Sequence, residues 1–372
     1  MASRRKRLWI GVAAVLVVLI GGAGYGVWWG SGQSVEVVHY GAGSDSVLAS
    51  GNGTVTFKET AKTSQPGTYW FEWSGAHTMV GDIVARTPGR VTRKVVGGAV
   101  PSVGSSGYFG AVPPGDPKVT WDIDFSEIMV KTELGEAPAW YVPGKGDTWV
   151  IAVHGQNGRR KAELSVVPVV HRLGLPVLVV SYRNDEGAPA SPDGLLHLGD
   201  SEWRDLEAAV RTAQGMGARR IVIYGTSMGG VIAGQFLDRS RLAGTVSGVI
   251  MDAPPYDFDR VAAWSVQKYH LPGAVGWLSN RVAEWRTGIS MDRLNLLSHP
   301  PAVRPRMLLI HTDADLQAPV QASRDLAAAG GRLGWEIRYE EFKGGDHVEA
   351  WNVDRARYDR LVGDFLAPFA TT

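Results

Sequence analysis

The chain predicts an α/β fold: a mostly parallel sheet with helices on both faces and a small helical cap, preceded by a transmembrane helix and a small β-rich region. Three observations carry this. From residue 118 onward, six short apolar runs, among them "TWVIAVHG", "LPVLVVSYR" and "RRIVIYG", alternate with helical patterns, and that alternation implies parallel strands buried on both sides. A Gly-, Ser-, Thr- and Val-rich texture fills 32–115. Ahead of it lies a long uncharged run behind a basic cluster.

Residues 1–7 form a basic cytoplasmic tail with Arg4, Arg5, Lys6 and Arg7, and Leu8–Trp29 follow as 22 residues without a charge. At about 1.5 Å per residue they reach roughly 33 Å, enough for a hydrocarbon core of about 30 Å. Trp28 and Trp29 stand where interfacial aromatics belong, and the basic cluster stays inside. A single-pass membrane protein with its domain on the extracytoplasmic side is therefore expected. A cleaved signal peptide is the competing reading. Leu8–Ile20 fits its apolar core, Gly21 and Ala23 are small cleavage-site residues, and the product would be secreted.

In 32–115 the stretches "VEVVHY", "GTVTFKE", "GTYWFEW" and "GRVTRKVV" read as strands separated by Gly and Pro. This membrane-proximal region shows no evident chemistry. "AVPPGDP" at 111–117 reads as a linker. In the domain at 118–372, the remaining strands are "VSGVIMDAP", "PRMLLIHTD" and "WEIRYEEF". Helical patterns cover Lys161–Leu173, Ser201–Gln214, Met228–Leu237, Gln321–Ala329 and Val353–Phe365. The interval 253–303 is too long for a simple crossover. With Trp264, Trp277 and Trp285 among Pro breaks, it reads as the cap.

Formal net charge is +1, and removing the four basic residues of the tail leaves 34 basic against 37 acidic. Such a body argues against nucleic acid as a partner, which wants a basic face. No cysteine is present, so disulfides, thiolate nucleophiles and cysteine-ligated metals are excluded.

The chemistry concentrates at "GTSMG", Gly225 to Gly229, set between a strand and a helix. A serine at such a turn takes a strained backbone, and Gly225 and Gly229 give it room. The turn lifts the Ser227 hydroxyl above the carboxyl ends of the strands, where open parallel sheets place their ligands. Serine needs an adjacent base to act as a nucleophile. His347 in "KGGDH" follows the last strand, and Asp315 follows the strand before it. All three emerge on one sheet edge: Ser227 as nucleophile, His347 as base, Asp315 as the acid that orients it. Asp313 and Asp252 are the alternative carboxylates. The oxyanion donors are expected to be the backbone N–H groups of Met228 and Gln156. His154 precedes the serine and reads as a residue that shapes its loop.

"VHGQ", "SYRNDEGAPAS", "YGTSMGG", "HTDADLQAP" and "GGDH" together resemble the serine hydrolases of the α/β-hydrolase superfamily, over about residues 120–370. They look most similar to the membrane-associated branch near lysophospholipases and depalmitoylating thioesterases. Thr312 stands where that family's acid motif has Gly, and Ala318 where it has Val. The resemblance implies hydrolysis of a carboxylic ester or thioester through an acyl-enzyme, with no metal or organic cofactor and a small-molecule or lipid-like ester as substrate. The alternatives are a small-peptide aminopeptidase and a non-catalytic envelope binding protein that keeps the fold. A large-propeller peptidase does not fit, since 32–115 holds at most two blades of about 40 residues.

Overall fold

The computed structural model describes residues 21, 22, 24–38 and 43–370. Most of the expected membrane span, 8–29, lies outside the described residues. Among the described residues no helix is long and apolar enough to cross a membrane. The run is instead seen at its end, as helix α1 over 24–35.

Strands β1 (Asp45–Gly51), β2 (Thr54–Lys58), β3 (Tyr69–Trp73), β4 (Ala76–Thr87), β5 (Arg90–Gly98) and β6 (Ser106–Gly110) close into an antiparallel barrel, ordered β1-β2-β5-β4-β3-β6. Alternation makes the inside: Val55 with Phe57, and Tyr69 with Phe71, point inward and meet Val47, Val80 and Phe109. Closure leaves no long unpaired edge. Of "VEVVHY", residues 35–38 are not part of it, and 39–40 lie outside the described residues. Val35 ends α1 with its side chain buried in the core of the larger domain, and Glu36 makes a single bridge to Leu195. Tertiary burial outweighs the β-branched composition there.

Arg93 of β5 is fully buried in the barrel. Its guanidinium donates to the carbonyls of Gly81, Thr63, Gln65 and Gly67, which substitutes for water around the charge. The loop it holds docks on the larger domain, where the Thr68 N–H donates to the Asn352 carbonyl at 2.7 Å.

After the linker, Asp116 caps the short helix α2 (Pro117–Trp121) by accepting from Lys118 and Val119. The main sheet holds β7 (Ser126–Lys131), β8 (Glu136–Val142), β9 (Thr148–Val153), β10 (Val177–Val180), β11 (Arg220–Thr226), β12 (Val246–Asp252), β13 (Arg306–Thr312) and β14 (Ile337–Phe342). Their order is β14-β13-β12-β11-β9-β10-β8-β7. Only β8 runs against its neighbours. Alternate residues of the central strands serve opposite faces. Ile151, Ile223 and Val249 join one core, while Val150, Val222 and Ile250 join the other.

Helices α4 (Trp203–Gly215), α5 (Met228–Arg239) and α8 (Val320–Leu333) contribute to the first core, and α3 (Val167–Arg172), α9 (Ala350–Val353) and α10 (Arg355–Ala370) to the second. The helical pattern at Lys161–Leu173 divides into a 3₁₀ segment, Arg160–Ser165, and α3. Pro168 has no N–H to carry a continuous ladder through that junction.

The cap is a pair, α6 (Phe258–Lys268) and α7 (Gly273–Thr287). They approach closely at Gly276, where a Cβ would stand 2.9 Å from the Ala262 carbonyl oxygen. Helix α1 lies against α7: Arg286 donates to Ser31 and Glu36, and its guanidinium covers the Trp28 ring.

The tightest backbone approach in the sheet predicts a measurable contrast. A Cβ on Gly229 would fall 2.0 Å from the Val153 carbonyl oxygen, whereas one on Gly331 of α8 would meet nothing within 4 Å. Gly229→Ala should lower stability by about 1–3 kcal/mol or more. Gly331→Ala should raise it by about 0.5–1 kcal/mol through helix propensity. Urea unfolding measures both, and equal stabilities would contradict this packing.

Candidate active site

Ser227 sits at the junction of β11 and α5 with φ 50° and ψ −122°. A non-glycine residue in that region is strained. The surroundings hold it there. Its N–H donates to the Asp252 carbonyl at 2.8 Å, and a Cβ on Gly225 would come within 2.6 Å of the Gly229 carbonyl carbon. The glycines are required on both sides of the serine.

Ser227 Oγ lies 2.7 Å from His347 Nε2, and His347 Nδ1 lies 2.6 Å from Asp315 Oδ2. The other Asp315 oxygen, Oδ1, accepts the N–H groups of Gln317 and Ala318. Neither alternative carboxylate hydrogen-bonds His347. Asp313 is exposed and accepts from the Gly344 N–H, while Asp252 accepts from the Tyr358 hydroxyl. The Thr312 hydroxyl donates to the Asp346 carbonyl at 3.0 Å, and the Asp346 carboxylate accepts from the N–H groups of His347 and Leu316. The acid loop and the histidine loop are thereby tied together, partly through a side chain that glycine would lack.

Burial alone would raise the Asp315 pKa, but the imidazoles of His311 and His347 outweigh it and hold the carboxyl well below the usual range. For His347 burial pulls downward, yet the Asp315 hydrogen bond and charge leave it above its ordinary value. The sequence reading missed His311. Fully buried, it lies between Ser323 Oγ at 2.8 Å and Asp315 Oδ2 at 3.1 Å. Its only sequence signal is a polar residue at the end of the apolar run "RMLLIH".

Facing Ser227 across the mouth is Gly155, where a Cβ would stand 2.7 Å from that of Ser227. The Gly155 carbonyl accepts the Tyr182 hydroxyl at 2.7 Å and the Gly158 N–H at 3.1 Å, and His154 Nδ1 is 2.9 Å away. In a trans peptide the following N–H points the opposite way. Three contacts on this oxygen therefore fix the direction of the Gln156 N–H. Neither Gln156 N nor Met228 N has a partner among the described residues. His154 is fully buried, stacked on Tyr182, with Nε2 2.8 Å from Asp185. Both its ring nitrogens face acceptors, which suits an imidazolium. Burial opposes that charge, but Asp185 prevails and raises the pKa.

A cavity of about 380 Å³ opens at Ser227 and His347. Its walls include Val112 and Pro113 of the linker and Trp351 and Asn352 of α9, together with Gln33 from α1. Asn352 Nδ2 donates to the carbonyls of Thr68 and Ala111, so barrel and linker are built into the wall. Composition gave no hint of that role for 111–113.

With this geometry established, comparisons place the chain among known proteins. The prolyl oligopeptidase family matches residues 167–369, and a domain of unknown function matches 46–110. No curated protein sequence matches the chain. An esterase of Pyrococcus furiosus is similar in structure, with TM-score 0.55 and 21% identity, over 69% of this chain and 97% of that one. An acylaminoacyl peptidase of Pyrococcus horikoshii gives 0.52 and 16%, over 87% of this chain and 56% of that one. An esterase/lipase from an uncultured bacterium gives 0.51 and 18%, over 70% and 95%. In place of propeller blades, the β-rich region forms one six-stranded barrel among the described residues. The chain is a serine hydrolase of the α/β-hydrolase fold and belongs to the prolyl oligopeptidase family.

Proposed function

We propose that the protein hydrolyses carboxylic esters or thioesters through an acyl-enzyme on Ser227. The observation that carries this is the unbroken relay from Ser227 Oγ through both nitrogens of His347 to Asp315. An ionised Asp315 only accepts, so His347 Nδ1 donates to it and Nε2 is left bare toward the serine. Ser227 Oγ attacks the carbonyl carbon while its proton passes to Nε2. The oxygen that becomes negative is received by the Gln156 and Met228 N–H groups. The imidazolium then protonates the leaving alkoxide or thiolate, and a water molecule repeats the sequence to release the acid.

Ester and thioester carbonyls are the substrates such a relay cleaves with least demand, because their leaving groups depart more readily than an amine. Peptide cleavage is the second reading. It is favoured by family membership, by the acylaminoacyl peptidase neighbour, and by a cavity wall made partly of barrel and linker. The basic tail and the uncharged run Leu8–Trp29 support a single-pass anchor with the catalytic domain outside.

The relay predicts a large loss on substitution. Ser227→Ala should lower kcat on a p-nitrophenyl ester on the order of 10³-fold or more, His347→Ala should cost about as much, and the double variant little more. Alanine fits the elbow, so the thermal transition should not move; normal turnover by folded Ser227→Ala would defeat the assignment.

The pH profile has a definite sign. His347 must be neutral to accept the proton, and its pKa is raised. kcat/KM should therefore fall with acid through a midpoint above about 6.5. A midpoint below that value, with chemistry limiting, would remove His347 as the base.

For the anchor, protease added to cells with a permeabilised outer envelope should digest the catalytic domain, and high salt should leave the protein with membranes. A protected domain, or one released into the medium, would refute it.

A further inference from the structure

The cavity at Ser227 has a buried acidic floor that the relay does not use. Asp252, at the end of β12, is 1% exposed and lines the cavity beside Tyr224 and Tyr358. Its Oδ2 accepts the Tyr358 hydroxyl at 2.9 Å, and the two tyrosine hydroxyls are 2.7 Å apart. Asp252 Oδ1 has no partner among the described residues. Behind Thr226 lies a second carboxyl, Glu163, 0% exposed, with Oε1 accepting from the Thr226 hydroxyl at 2.6 Å and Oε2 without a partner among the described residues.

A buried acceptor left without a partner is costly, and two such carboxyl oxygens stand here within electrostatic reach of each other. Neither carboxyl is in an ion pair among the described residues, and no Lys or Arg lines the cavity. The wall supplies aromatic faces instead, from Trp351, Tyr224 and Tyr358. An acidic floor, a buried acceptor without a partner among the described residues and aromatic walls are together the chemistry that receives a cation.

We propose that this floor is a subsite for an ammonium group carried by the substrate, with Asp252 Oδ1 as its acceptor. The inference rests on Ser227 as the nucleophile and narrows the substrate class to amine-bearing esters, thioesters or amides. Burial pushes Asp252 up to about 6 and Glu163 up to about 8. The His154 imidazole acts on Glu163, and an entering ammonium would give Asp252 a countercharge of its own. The other groups acting on Asp252 are Tyr358, His311, His347 and Asp315. Only the two imidazoles among them can be cationic, and both already face Asp315.

Two fluorophosphonates test this, one with a dimethylammonio-alkyl arm and one with its isosteric isopropyl arm. Wild-type protein should be labelled at Ser227 about tenfold faster by the cationic reagent, and Asp252→Asn should bring the ratio to about one whatever its absolute rate. Equal rates, or a faster neutral reagent, in wild type would overturn the subsite while leaving the serine hydrolase intact. A ratio that survives Asp252→Asn would overturn the assignment to Asp252. If neither reagent labels wild type, the nucleophile reading fails and the subsite with it. Should the variant not fold, a crystal structure of the cationic adduct decides: the ammonium nitrogen within about 3.5 Å of Asp252 supports the proposal, and an arm directed elsewhere refutes it.

Discussion

The backbone of Ser227, held at φ 50°, is the constraint on which the rest of the site depends. An L-residue does not choose that conformation unaided, so its neighbours enforce it. The Asp252 carbonyl takes its N–H, Gly225 and Gly229 remove the side chains that would collide, and Gly155 closes in from the loop after β9. Position follows from strain: the hydroxyl stands off the sheet, within 2.7 Å of His347. The residues around it spend little freedom in meeting it because each is pinned by its own hydrogen bonds.

Those pins form a second layer that is largely buried. Asp315 is gripped by two N–H groups and two imidazoles, which keeps it ionised and aimed at His347 Nδ1. The Gly155 carbonyl is gripped by Tyr182 and the Gly158 N–H, with His154 beside it, which sets the direction of the Gln156 N–H. Preorganised dipoles of this kind do not have to reorient as charge develops. The Gln156 side chain is also held, donating to the carbonyls of Gln33 and Ser34. The last turn of α1 thus touches the same loop from outside.

The barrel is integrated with the site. Arg93 fixes the loop at 63–67, Asn352 bonds Thr68 and Ala111, and the Tyr69 hydroxyl reaches Glu349 beside the histidine loop. None of these contacts was legible beforehand, because each joins a polar side chain to a group distant in sequence and leaves no periodic trace. The first two strands of the larger sheet, β7 and β8, also escaped the reading. Their sequences, "SEIMVK" at the sheet's edge and "EAPAWYV" beside it, carry charge and a Pro that a buried-strand pattern does not reveal.

What the sequence determined by itself is what neighbouring residues enforce. Apolar runs alternating with helical periods specified a parallel α/β sheet, and "GTSMG" between a strand and a helix specified the strained serine. Strand ends marked where His347 and three candidate carboxylates would emerge. Only the tertiary structure decided which of Asp252, Asp313 and Asp315 meets His347. It also decided that the β-rich region closes as a barrel, that linker residues wall the cavity, and that Asp252 keeps a buried oxygen without a partner among the described residues. The reason is range. Ser227 and His347 are 120 positions apart, and at such separations a hydrogen bond depends on how whole elements pack, which no local pattern records.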